Sequence, residues 1–168
     1  MRDLNVLDNK FREKLELVIK LVEKKGYKLV PFSTRRDPYN QAILWRQSRT
    51  WKEVKQKIDY LKKRNCKYLV NVFNEVGPQS GRWATNAPPG FSWHQYDKAC
   101  DCFVLENGRA IWNIQHKGYL TYYETCQEVG LYSGYRFDDG PHCQKEAEQV
   151  SHYYSLTEID KIMKLKYG

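Results

Sequence analysis

The sequence predicts an α+β fold: several helices first, then a small antiparallel sheet, with the helices packed around it. Three observations lead there. Helical apolar spacing and capping signals dominate the chain up to Gly77. Asn107-Gly108 is a strong hairpin signal between two short β-rich runs. The order of helices first and strands later, without βα alternation, is that of α+β proteins.

Phe11, Leu15, Val18, Ile19 and Val22 recur at helical spacing and predict a helix over 8–25, stopped by Gly26. Tyr27–Pro31 reads as a short strand. At Asp37-Pro38 a capping side chain precedes a proline at the first helical position, so a helix runs from there to about Ser48 and carries Gln41, Ala42, Leu44 and Trp45. Thr50 and Glu53 form a capping box and start the next helix, lined inside by Val54, Ile58 and Leu61. Asn65 is read as the cap of a third helix, with Leu69, Val72, Phe73 and Val76 on one face and an end at Gly77-Pro78. That run is also β-rich, so a strand is the alternative there.

Residues 77–92 are rich in glycine, proline and asparagine and read as a loop that delivers the chain to His94. Ala99–Leu105 and Arg109–Trp112 flank Asn107-Gly108 as the arms of a hairpin. Tyr119–Val129 is a helix ended by Gly130, and Leu131–Phe137 and His142–Gln144 are the last two strands. The tail from Lys145 to Gly168 is polar, with a weak helical pattern at Leu156, Ile159 and Met163. No internal repeat or linker divides the chain, and 168 residues suffice for one domain with a buried core.

No apolar run reaches the length of a membrane span, and Met1-Arg2-Asp3-Leu4-Asn5 leads into a charged stretch without the apolar core of a signal peptide. The expectation is synthesis in the cytoplasm without export. Five cysteines, an odd number without framework spacing, are expected to be reduced thiols. The net charge of +8 is uneven: residues 1–70 hold 19 of the 28 basic and 8 of the 20 acidic residues. A basic front half suits a polyanion (nucleic acid, an anionic surface or a wall polymer), and it equally suits a merely solubilising surface.

The chemistry concentrates in Ser92–Asp101 and in Asp138-Asp139-Gly140-Pro141-His142. His94, Asp101 and His142 are candidate ligands of one zinc ion, since catalytic zinc takes three ligands from His, Cys, Asp or Glu and keeps a position for water. Asp101 sits within a strand, so Cys100 and Cys102 point the opposite way. That alternation disfavours the competing reading in which Cys-x-Cys binds the metal. Asp139, three residues before His142, is a candidate general base for a zinc-activated water. Arg36 is a candidate for stabilising an oxyanion. His116 and His152 are read as core or surface residues. Spacing alone does not single out these three ligands from other His and Asp residues.

The order of the motifs adds a further reading. Ser-x-His-x6-Asp followed by Asp-x-Pro-His resembles the zinc peptidases of peptidoglycan: the D-alanyl-D-alanine carboxypeptidases and dipeptidases, and the L-alanyl-D-glutamate endopeptidases of bacteria and phage endolysins. Arg36-Asp-Pro-Tyr-Asn-Gln41 is similar to that family's Arg-x4-Gln at a helix start, and Gln47-Ser-Arg-Thr50 to its Gly-Arg-Thr. Thr85–His94 is similar to its loop into the first ligand, and Gly130-Leu-Tyr-Ser-Gly134 to the Gly-Leu-x-x-Gly before the last histidine. The resemblance spans roughly residues 10–145. It implies the small α+β fold shared with the Hedgehog signalling domain, over a single peptidase domain 1–168 with a C-terminal tail at 146–168.

It further implies one zinc ion on His94, Asp101 and His142, Asp139 as base, and Arg36 and Ser92 at the substrate. Asp-x-Pro-His resembles the endopeptidase branch, whereas carboxypeptidases and dipeptidases carry Glu-x-x-His. The implied partners are a peptidoglycan stem peptide and an anionic cell-wall surface, with no nucleic acid, for a monomer that acts on the wall after release, as an endolysin does. The chain departs from the family at Asp97, where glycine is usual, at Tyr132-Ser133-Gly134 in place of Trp-Gly-Gly, in a longer Lys52–Gly77 segment, and in the tail. The alternatives are a D-alanyl-D-alanine carboxypeptidase or dipeptidase, and a non-catalytic module that binds cell wall or nucleic acid through the basic half.

Overall fold

The computed structural model describes residues 3–168; Met1 and Arg2, which open the N-terminus read above as leaderless, lie outside the described residues. Among the described residues there are seven α-helices and five strands, and the fold is α+β with an all-antiparallel sheet. The chain divides into two compact units, one formed by the residues up to Arg35 with Tyr96–Ala147, the other by Arg36–Gln95 with Glu148–Gly168.

The first unit is a sheet with two helices on one face. Helix α1 (Asn9–Lys24) starts at Asp8, whose carboxylate accepts from the Phe11 amide, and buries Phe11, Leu15, Val18 and Val22. Strands β1 (Lys28–Ser33), β2 (Ala99–Glu106), β5 (Asp139–Gln144) and β4 (Tyr132–Gly134) lie in the order β1-β2-β5-β4, and β3 (Arg109–Ile111) pairs with the far end of β2 across Asn107-Gly108. Helix α5 (Lys117–Glu128) packs beside α1. Strand alternation sends Cys100, Cys102, Val104 and Cys143 into a core shared with Leu29, Tyr119, Tyr122, Cys126 and the apolar stripe of α1. Asp101, Phe103 and His142 therefore occupy the other face.

The second unit is helical. Helix α2 (Pro38–Arg46) begins at Asp37 with proline at its start, and α3 (Trp51–Lys62) begins with the Thr50–Glu53 capping box, as the sequence predicts. Helix α4 (Lys67–Val76) settles the helix-or-strand ambiguity in favour of helix. Its cap is Cys66 rather than Asn65, because Asn65 takes a left-handed conformation (φ 58°) in the turn out of α3. Cys66 supplies no side-chain cap. Instead Asp160 accepts from the Leu69 amide at 2.9 Å and satisfies one of the open donors at that helix end.

Asp160 belongs to the tail, which is more ordered than its polar composition suggests. Helix α6 (Val150–Tyr153) is followed by α7 (Leu156–Tyr167), which opens with a Ser155–Glu158 capping box and buries Ile159 and Met163. The strands near the site also differ from expectation. The run Leu131–Phe137 is strand only over Tyr132–Gly134, then a short 3-10 helix, Tyr135–Phe137, closed by Asp138 in the left-handed region. The last strand starts at Asp139, three residues before the expected His142.

Gly90 shows how closely α7 approaches the loop before His94. Its φ is +89°, and a Cβ there would lie 2.5 Å from Ile159 Cγ2. Gly90→Ala combines backbone strain with overpacking, and it is expected to lower unfolding free energy by about 1–3 kcal/mol, measured by urea denaturation. An unchanged urea midpoint contradicts this packing.

Candidate metal centre

His94 comes from a short turn, and Asp101 and His142 come from a strand pair. His94 lies on a short 3-10 helix, Trp93–Tyr96, and is only 2% exposed. The turn is held from within by Gln95, fully buried, whose Oε1 accepts from the amides of Gly90 at 2.8 Å and Ser92 at 3.3 Å. The tail holds it from outside. Lys166 Nζ and the Tyr167 hydroxyl both donate to the Gln95 carbonyl, at 3.1 and 2.8 Å. The Trp93 indole donates to the Glu148 carbonyl at 2.9 Å, and its ring meets Tyr153 edge-on. The two residues flanking His94 are thus both fastened, which limits how far its imidazole can wander.

Asp101 and His142 are direct cross-strand partners in the β2–β5 pair. His142 Nδ1 lies 2.9 Å from Asp101 Oδ1, with side chains 19% and 14% exposed. One donor atom from each of His94, Asp101 and His142 lies within 4.8 Å of the other two, so the group can hold a metal ion. Two imidazoles and one carboxylate are also a donor set that zinc ions take, with positions left for water.

Asp139 is exposed and stands beside His142. The reason is Gly134: a Cβ placed there would fall 3.0 Å from Asp139 Cβ, 3.2 Å from His142 Cβ and 2.6 Å from the Asp139 carbonyl. Only a residue without a side chain leaves room for both, and the register shift at Ser133/Gly134 brings them to the same spot. Arg36 Nη1 donates to Gln41 Oε1 at 3.0 Å, and the Arg36 amide donates to the His94 carbonyl at 3.3 Å. Gln41 is itself buried and donates to the Ala87 carbonyl at 2.7 Å. The Arg-x4-Gln spacing thus corresponds to a hydrogen bond between its two ends. Ser92 is buried, and its carbonyl accepts from the Gln95 amide at 3.0 Å within the His94 turn.

Asp97 is a clamp. It adopts φ 61°, and Arg35 grips its carboxylate with two hydrogen bonds of 2.7 Å while donating also to the Val6 carbonyl. The Asp97 carbonyl accepts from the Asp8 amide, and Asp8 in turn pairs with Lys145. The cysteines are all free and buried, and Cys126 is pushed well above its usual pKa by burial and by Cys143. Such a thiol stays protonated, which suits core packing and not metal binding. His116 caps α5 by accepting from the Gly118 amide, and His152 is exposed on α6. The partners missed by sequence reasoning are Arg35, Gln95, Gln144, Lys166 and Tyr167. Of these only the tail carried a readable signal, the Ser155–Glu158 capping box.

His142 links the centre to pH. In the metal-free protein burial lowers its pKa, but the hydrogen bond to Asp101, the charges of Asp101 and Asp139 and the bond to Gln144 outweigh it and raise the value from 6.5 to about 9. The protonated pair therefore stabilises the metal-free fold fully below 6.5, and that contribution is lost as pH rises through about 9. A metal needs the neutral ring, so binding displaces this proton. The dissociation constant for Zn2+ is expected to fall about tenfold per pH unit as pH rises towards 9, read by chelator competition; a pH-independent constant contradicts this. No protein-family model matches the chain, and no curated protein matches it significantly.

Proposed function

We propose that the chain is a zinc-dependent peptidoglycan hydrolase that cleaves a stem-peptide bond, L-alanyl-D-glutamate, in endolysin-type lysis or wall remodelling. The observation that carries this reading is the convergence of His94, Asp101 and His142, three residues far from contiguous in sequence, with Asp139 beside the last of them. The resemblance to peptidoglycan peptidases supplies the substrate class, and Asp-x-Pro-His favours the endopeptidase branch.

A bound zinc ion supplies Lewis-acid polarisation of a carbonyl and acidifies water to near neutrality. The protein's own groups do the rest. The Asp139 carboxylate, exposed and next to His142, is positioned to take the proton of an attacking water and return it to the leaving amine. Arg36, held by Gln41, offers a fixed cation to a substrate carboxylate or to the charge that develops on the attacked carbonyl. Ser92, buried in the His94 turn, is the remaining residue assigned to the substrate side, and that assignment rests on the motif resemblance. Lys52, Lys55, Lys62, Lys63, Arg64 and Lys67 are exposed on α3, in the turn after it and at the start of α4, and this basic surface suits an anionic wall. Among the described residues no helix is long and apolar enough to cross a membrane.

The test is digestion of purified muropeptides with zinc-loaded protein. The expected products are a sugar-linked fragment ending in L-alanine and a peptide beginning with D-glutamate. Release of only terminal D-alanine would favour the carboxypeptidase branch, and lysis undiminished by His94→Ala would end the zinc-enzyme reading. Asp139→Asn is expected to keep zinc and lose turnover by about 100-fold or more. If it loses the metal instead, Asp139 is a ligand and not the base.

A further inference from the structure

We infer that Gln144 is the positioning residue for His142: its side-chain carbonyl keeps the ring proton on Nε2 and leaves Nδ1 for the metal. The inference rests on the metal-binding reading of His94, Asp101 and His142. Nothing in the sequence motifs points to Gln144; the structure does.

The two ring nitrogens of His142 face different partners. Nδ1 is 2.9 Å from Asp101 Oδ1, its co-ligand, and Nε2 is 3.0 Å from Gln144 Oε1. The amide of Gln144 cannot exchange its ends, because its Nε2 already donates to the Glu146 carbonyl at 2.7 Å. Oε1 therefore faces the imidazole, and a carbonyl oxygen only accepts. Asp101 also only accepts, so both ring nitrogens face acceptors; once Nδ1 is given to a metal beside Asp101, the one N–H of the neutral ring is on Nε2, against Gln144 Oε1.

The backbone makes this arrangement stiff. His142 and Gln144 are two apart on β5 and share a face. Gln144 is paired with Ala99 on one side and Tyr132 on the other. Its anchor is held too: the Lys145 amide donates to the Lys98 carbonyl, and Lys98 pairs with the Glu146 carboxylate at 2.8 Å. A metal-ligating histidine whose outer nitrogen is fixed in this way loses less freedom on binding, and removal of such a partner typically weakens metal affinity 10–100-fold.

The test compares wild type with Gln144→Leu and Gln144→Glu. Zinc affinity is measured by chelator competition, and long-range 1H–15N spectra of the zinc-loaded protein report which nitrogen of His142 carries hydrogen. Gln144→Leu is expected to bind zinc about 10–100-fold more weakly, and Gln144→Glu, which keeps an acceptor, to bind at least as well as Leu by a clear margin. The wild-type spectrum is expected to show hydrogen on Nε2, a readout that survives if the leucine variant fails to fold. Undiminished affinity in Gln144→Leu, or hydrogen on Nδ1 in the wild type, overturns the role of Gln144 alone. Wild type that binds no zinc overturns the metal reading as well, so the two failures are distinct.

Discussion

The antiparallel pairing of Asp101 with His142 is the constraint on which the rest of the centre depends. Directly opposed residues on adjacent strands hold their Cβ atoms about 4.5–5.5 Å apart, so one backbone register delivers two candidate metal ligands to one face. The register is itself enforced from the opposite face. Cys100, Cys102 and Cys143 point into the core against α1 and α5. A slip by one residue would drive Asp101 into that apolar core and bring the cysteines out, and burying an unpaired carboxylate there is strongly unfavourable. The core thus selects the ligand geometry without touching the ligands.

Around that pair, each remaining group is set by a local device. Gly134 leaves the space in which Asp139 and His142 come together. The Arg35 clamp on Asp97 ties the left-handed residue between His94 and Asp101 to the N-terminal segment through Val6 and Asp8. The C-terminal helix, through Lys166 and Tyr167, holds the carbonyl next to His94. The tail therefore has a physical task next to His94.

Much of this was legible in the sequence. Asp37-Pro38 and Thr50–Glu53 announced their helices because capping is local: the donor and acceptor are three residues apart. Asn107-Gly108 did the same for the β2–β3 hairpin. Strand alternation separated Asp101 from its cysteine neighbours correctly, since it needs only the period of two. What was not legible depends on distant pairing. Arg35 and Asp97 are 62 positions apart, and Tyr167 and Gln95 are 72 apart. Gln144 reads as an ordinary polar strand residue until β5 is seen between β2 and β4. The start of α4 was misplaced by one residue because Asn65, a good cap in isolation, is used for the turn, while Asp160 from the tail supplies the bond to the Leu69 amide. Helix α7 was faint because its buried face rests mainly on Ile159 and Met163, too few residues for a clear period.

The most direct measurement of the central claim is the position of zinc itself. Crystals grown with one equivalent of zinc, with diffraction recorded on both sides of the zinc absorption edge, reveal each ion independently of any assumed ligand. The account predicts a single strong anomalous peak in contact with His94, Asp101 and His142 together. No ordered zinc, or zinc held elsewhere with those three side chains still in their hydrogen-bonded arrangement, would contradict it.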